Sequence, residues 1–260
     1  MNMKTFSDIA EIKTKLEQCE IHGSFDSHLV CKLPNREIWS GCSVCANEAK
    51  SLADREAAEK AKIEKHNRWQ RALGEAGIPD RFHSRTLDGY VATSKGQESA
   101  LRFATEYAND FANVQRTGRS AIFCGKPGTG KTHLSVGIGL KVMNDGCTVL
   151  FTTVQRMMRR VKDAWRKDST ESESMVVDLF SSPDLLIVDE IGVQFGSDFE
   201  KNMMFDILNE RYECRRPTLL LTNLTPSEVK SFLGERIFDR LREDGGQCVP
   251  FDWASHRGKV

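Results

Sequence analysis

From Gly77 onward, short apolar runs alternate with longer stretches whose apolar positions recur at helical spacing. The runs Ser120–Cys124, Thr148–Thr153, Leu185–Asp189, Thr218–Thr222 and Cys248–Phe251 have the length and composition of strands. Helical patterns separate them, at about residues 97–115, 131–144, 154–168, 199–214 and 226–242. Apolar strands alternating with helices predict an α/β fold, with a parallel five-stranded sheet between helices. Lys167–Ser174 (KDSTESES) reads as a polar loop.

The pattern upstream is different. Residues 47–73 contain neither Pro nor Gly and are dominated by Ala, Glu, Lys and Arg, which predicts an exposed, charged helical linker with few apolar anchors. Residues 1–46 form a short region with a helix expected over Thr5–Gln18. The expected organisation is a small module over 1–46, a helical linker over 47–76 and one larger domain over 77–260.

Composition narrows the class. Thirty-nine per cent hydrophobic residues supply a core and exclude a disordered chain. Lys and Arg number 37 against 37 Asp and Glu, so any attraction to nucleic acid must come from a local basic patch. No apolar run approaches the roughly 18–20 residues of a membrane helix. The opening MNMKTFSDIAEIK lacks the apolar segment of a secretion signal, so a cytoplasmic protein is expected.

Candidate chemistry begins at Gly125, Lys126, Pro127, Gly128, Thr129, Gly130, Lys131 and Thr132, a full match to G-x-x-x-x-G-K-[ST]. It lies between an expected strand (AIFC) and a helix that opens with His133, the position closing the cradle. Glycines let backbone N–H groups turn inward around a phosphate at a helix N-terminus. Lys131 then reaches the β- and γ-phosphates, and Thr132 offers a hydroxyl to Mg²⁺. The apolar run LLIV ends in Asp189 and Glu190, the first suited to the Mg²⁺ water shell and the second to orienting or deprotonating an attacking water. Asn223 closes the strand PTLLLTN, where a side-chain amide can hold that water or sense the γ-phosphate. Arg236 and Arg240 stand four residues apart, on one face of a helix. Arginine facing a γ-phosphate stabilises transition-state charge. His83, His133 and His256 lack partner spacing and read as structural or surface residues.

Four of the eight cysteines, Cys19, Cys31, Cys42 and Cys45, crowd into the first 45 residues. Cys19-x-x-His22 and Cys42-x-x-Cys45 are two chelating pairs, and together they complete a tetrahedral, closed zinc shell. Cys31 or His28 could replace His22. A region this short cannot bury much core, so a metal staple is expected.

Residues 154–168 carry Arg156, Arg159, Arg160, Lys162, Arg166 and Lys167 against two Asp, with Trp165 three positions after Lys162. Cation and aromatic on one face suit a single nucleic-acid strand. The loop Gln194–Phe199 follows the second phosphate motif, and its Ser197 and Phe199 join Lys162 and Trp165 as candidate DNA contacts.

Together, GKPGTGKTHL, LLIVDEIGVQ, RRPTLLLTN, FLGERIFDRL and VPFDWASHR resemble the AAA+ ATPases. More narrowly they resemble the DnaC/DnaI-like bacterial helicase loaders, chromosomal or phage-borne, and their IstB-type transposition relatives. The likeness covers about residues 75–260, including GIPDRFHSRTLDGY. It implies an ATPase that self-assembles on a hexameric replicative helicase and places it on single-stranded DNA, with ATP and Mg²⁺ at the P-loop. The same likeness implies a core without a C-terminal lid domain, and the basic helix lining a central channel. By resemblance Arg240 is the finger acting between subunits and Arg236 the sensor. The cysteine module resembles the zinc-bearing region of DnaI-type loaders and departs from DnaC-type chains. Two alternatives stand beside the loader: an IstB-type helper ATPase acting on duplex DNA, and an adaptor that sequesters a helicase with ATP as a structural ligand.

Overall fold

The structure is a computed structural model that describes residues 13–192 and 198–256. The chain divides into two compact units, residues 1–69 and 70–260.

The first unit is built on a three-stranded antiparallel sheet, β1 (Thr14–Cys19), β2 (Gly23–Leu33) and β3 (Arg36–Trp39), in the order β1-β2-β3. β1 and β2 pair from Thr14 opposite His28 to Cys19 opposite Gly23. The helix expected over Thr5–Gln18 is therefore a strand from Thr14, and the rest of that expectation lies outside the described residues. Thr14–Cys19 alternates side chains across a sheet and gains a full row of cross-strand bonds from β2, which local helical preference cannot match. Helix α1 (Ser43–Glu75) begins in this unit, and the boundary between units falls within it. It spans the predicted linker and starts four residues earlier.

The second unit holds a parallel sheet of β4 (Ala121–Gly125), β5 (Val149–Thr153), β6 (Leu185–Ile191), β7 (Thr218–Thr222) and β8 (Gln247–Phe251), ordered β5-β6-β7-β4-β8. All five predicted strands form within about two residues of their expected ends. Ile122, Leu186, Val188 and Leu220 are fully buried in the core, so strands covered on both faces read as unbroken apolar runs.

Helices α2 (Lys95–Asn109), α3 (Phe111–Thr117), α4 (Lys131–Asn144), α5 (Val154–Ala164), α6 (Glu173–Ser181), α7 (Asp198–Glu213), α8 (Pro226–Leu233) and α9 (Glu235–Arg240) complete it. Ser94, Thr153 and Ser172 cap α2, α5 and α6 with their hydroxyls. Thr225 and Glu228 cap α8 reciprocally, with Pro226 in its first turn.

Four expectations change, the first being the helix over 154–168, which ends at Ala164 with Trp165 as its C-cap. The run 97–115 is two helices that meet at Asp110, whose ψ of 27° leaves the helical region. The run 226–242 breaks at Gly234, with φ 80° and ψ 154°. The polar loop ends sooner than expected because Ser172 caps α6, a nine-residue helix around MVVDLF. Such a short helix is held by burying Val176 and Phe180, which no sequence period of that length announces.

At the end of the sheet away from the P-loop, Arg211 of α7 is 1% exposed. Its guanidinium donates to Thr218 Oγ1 and to the carbonyls of Phe180, Ser181, Pro183 and Pro217, at 2.6–3.1 Å. Burial pushes its pKa down to about 9. One side chain thus ties the end of α6 to the starts of β6 and β7.

Candidate functional site

The loop 125–130 leaves β4 at its C-terminal end and turns directly into α4. Gly125 (φ 133°) lies so close to β8 that a Cβ there would stand 2.2 Å from the Phe251 carbonyl oxygen. Only glycine allows this passage, and Lys126 N–H then donates to the same carbonyl at 3.0 Å. The loop is braced further along. Thr129 O accepts from Trp253 Nε1 at 2.9 Å and Tyr90 O–H at 3.4 Å, while Gly128 O accepts from His256 N–H at 2.9 Å. His256 also pairs with Gln97 at 2.9 Å. Sequence reasoning read His256 as structural or surface and gave Tyr90, Gln97 and Trp253 no role. The strand-like ending VPFDWASHR was the one signal that this segment mattered.

Lys131 is 7% exposed. Its ammonium donates to the carbonyls of Gly125 (2.6 Å) and Lys126 (2.8 Å) and to Asn223 Oδ1 (2.9 Å). The P-loop lysine and the amide at the end of β7 therefore meet directly. Thr132 Oγ1 donates to Asp189 Oδ2 at 2.8 Å, which joins the start of α4 to the end of β6. A hydroxyl and a carboxylate held this way are the donor set that a hard divalent cation takes at a P-loop, so the residues fit Mg²⁺. Glu190 follows with φ 64°, and its N–H donates to Asp189 Oδ1 at 2.7 Å. His133 stands beside the cradle: its Nε2 bonds Thr86 O at 2.9 Å, its ring meets Tyr90 edge-on at 5.1 Å, and burial pushes its pKa down.

Arg236 and Arg240 do share a face, and it is turned to α7. Arg236 lies over the Phe205 ring at 5.7 Å; Arg240 lies over Tyr212 at 4.6 Å and donates to Asn209 Oδ1. Within one chain their contacts are with α7. On α5, Val154, Met157, Met158 and Val161 are buried, and Arg156, Arg159 and Arg160 face outward. Trp165, 51% exposed, packs on Phe199 with ring centroids 4.6 Å apart and donates to Glu173. Lys162 pairs with Glu200 at 3.3 Å. Three of the four candidate DNA contacts thus come together, and Ser197 lies outside the described residues.

In the first unit, Cys19, His22, Cys42 and Cys45 converge, with their ligand atoms all within 4.8 Å of one another. His22 Nδ1 lies 3.2 Å from Cys45 Sγ and 3.7 Å from Cys42 Sγ, and Cys19 Sγ lies 3.6 Å from Cys45 Sγ. A tetrahedron with zinc–ligand bonds of about 2.0–2.3 Å has edges of about 3.5–3.8 Å, so donor set and spacing fit zinc. Cys31 is exposed and neither it nor His28 joins the cluster. His22 Nε2 reaches Glu48 Oε1 at 3.4 Å, a carboxylate that holds the ring with Nδ1 inward. Backbone N–H groups of His22 and Ile21 lower the Cys19 thiol to about 6, while its hydrogen bond to Cys19 raises Cys45 to about 11.

A glycine-rich loop between β4 and α4, a carboxylate pair closing β6 and an amide closing β7 define a P-loop nucleotide-binding protein of the AAA+ kind. The chain belongs to the IstB-like ATP binding protein family, which it matches over residues 50–246. It is 38% identical over 208 residues to the replicative helicase loader DnaC of Escherichia coli K12, covering 78% of this chain and 83% of that one. Against DnaC of Buchnera aphidicola from Acyrthosiphon pisum it is 37% identical over 194 residues, or 74% of this chain and 77% of that one. Among solved structures, the DnaC helicase loader superposes with a TM-score of 0.60 at 22% identity, covering 66% of this chain and 99% of that one. DnaI gives 0.56 at 19% identity, covering 67% and 94%. These likenesses bear on the fold. No helix among the described residues is long and apolar enough to cross a membrane.

Proposed function

We propose that the chain is an ATP-hydrolysing loader that places a hexameric replicative helicase on single-stranded DNA in the cytoplasm. The observation that carries this is the assembled phosphate site, Lys131 on Asn223 and Thr132 on Asp189, in a chain matching DnaC loaders over most of their length. Lys131 and the 125–130 amides bind the triphosphate, and Thr132 and Asp189 hold Mg²⁺, which supplies charge neutralisation across the phosphates. Glu190 orients and deprotonates the lytic water, and Asn223 reports the γ-phosphate.

The 1–46 module holds structural zinc through Cys19, His22, Cys42 and Cys45 and contacts the helicase. Residues 47–76 link it to the ATPase domain, 77–260. Lys162, Trp165, Ser197 and Phe199 follow single-stranded DNA. Self-assembly brings Arg240 of one copy to the nucleotide of the next, with Arg236 as sensor. Mixing Arg240→Ala with Lys131→Ala should restore turnover through the complete interfaces that form. A mixture that assembles and stays inactive removes the finger.

The loader reading is tested by capture of a purified replicative helicase hexamer together with ATP turnover on single strands. Preference for duplex DNA without helicase binding would establish the IstB-type helper instead. Helicase binding without turnover would establish the sequestering adaptor.

A further inference from the structure

Between β6 and β7 the parallel ladder runs Leu186–Thr218, Ile187–Leu219 and Val188–Leu220, then resumes at Ile191–Thr222. β6 advances three residues where β7 advances two. Asp189 and Glu190 thus form a bulge opposite Leu221, with Glu190 at φ 64°. Bulges re-aim side chains, and a left-handed glutamate persists only where its surroundings hold it.

Beside the Glu190 N–H bond to Asp189 Oδ1, one hydroxyl ties the bulge to the neighbouring strand. Thr222 is 1% exposed. Its Oγ1 donates to Ile191 O at 2.8 Å and accepts from Leu224 N–H at 3.0 Å. The first bond pins the exit of the bulge that aims Glu190. The second closes a turn around Asn223, whose side chain receives Lys131. The Leu224 side chain packs against Gly192 (φ 84°), where a Cβ would lie 2.4 Å from its Cδ1 and leave no slack between the two segments.

We propose that Thr222 is a positioning residue for hydrolysis, its hydroxyl locking the Glu190 bulge to the Asn223 turn. This rests on the reading of Glu190 and Asn223 as hydrolytic residues. Thr222→Val keeps the shape and removes both bonds. It should lower kcat at least tenfold while ATP affinity, read with a fluorescent analogue, stays within twofold. Amide exchange at Leu224 should quicken while that of α4 stays slow. Thr222→Ser keeps the hydroxyl and should restore native turnover. If the valine variant unfolds, Thr222→Ala, which puts no second methyl group into the site, carries the same expectation.

Native kcat in the folded valine variant, an equal loss in the serine variant, or loss of affinity in step with turnover overturns the assignment. A native chain that binds ATP and never hydrolyses it, with or without DNA, overturns the hydrolytic reading beneath it as well.

Discussion

The two units meet the problem of stability by different means. In the second, strands and helices bury a continuous core, and the deeply buried guanidinium of Arg211 finds five partners. In the first, the buried positions among the described residues are Ser27 and Cys42, while Leu16, Ile21 and Val30 are 73%, 77% and 67% exposed. At about 25 cal/mol per Å² of apolar area, burial sustains the second unit and falls short for the first. There Cys19 and His22 at the β1–β2 turn converge with Cys42 and Cys45 at the start of α1.

Removing metal should break this contrast most strongly. Structural zinc in small modules contributes on the order of 10–16 kcal/mol of apparent binding free energy, which the zinc proposal assigns to folding of this unit. Chelation should abolish the β1–β3 amide protection and leave the ATPase unit's melting transition unchanged. Metal analysis below half an equivalent per chain would remove the zinc assignment.

The second unit should fail by a different route, through unpaired polar groups. Arg211→Met removes the donor from the Phe180 and Pro183 carbonyls and from Thr218 Oγ1, while Ser181 O keeps Arg216 and Pro217 O keeps Leu186 N–H, at a cost of about 3–5 kcal/mol. Chemical denaturation of the ATPase unit measures this, and the metal content of the first unit should not move. A loss below about 1 kcal/mol would make the guanidinium incidental.

Lys131→Ala sharpens the comparison, because it disables the site and leaves the apolar core and the cysteine cluster intact. Nucleotide affinity should fall about 100-fold, close to 2.7 kcal/mol, with both units still folded. Titration calorimetry reads the loss, and unchanged affinity would refute the phosphate cradle. The smallest effect is expected at Trp165→Ala. Losing one stacking platform costs about 1–3 kcal/mol, seen as weaker single-strand binding with ATP affinity intact. Binding that is unaffected would return Trp165 to a packing role against Phe199.

The phosphate site was legible because its code is local. Eight consecutive residues name the loop, and the flanking strand and helix are announced by their own periods. The chelating pairs were legible for the same reason, since a two-residue spacer brings both ligands to one ion. Even there the third-dimensional part was hidden: Glu48 behind His22 lies in the charged helix, where nothing distinguishes it from its neighbours.

The sequence by itself determined the strand–loop–helix of the P-loop, the carboxylates and amide closing the next strands, and the residues of the cysteine cluster. Each depends on neighbours within a few positions, and backbone geometry carries that information directly. Tertiary structure decided that Thr14–Cys19 is a strand, that His22 rather than Cys31 or His28 completes the cluster, and that Arg236 and Arg240 lie against α7. It also decided that β6 bulges at Glu190 and that Thr222 ties the bulge to Asn223. These outcomes turn on register and packing between residues 4 to 14 apart in the β1–β2 hairpin and 20 to about 30 apart elsewhere, where the free energy of pairing outweighs any local preference the chain displays.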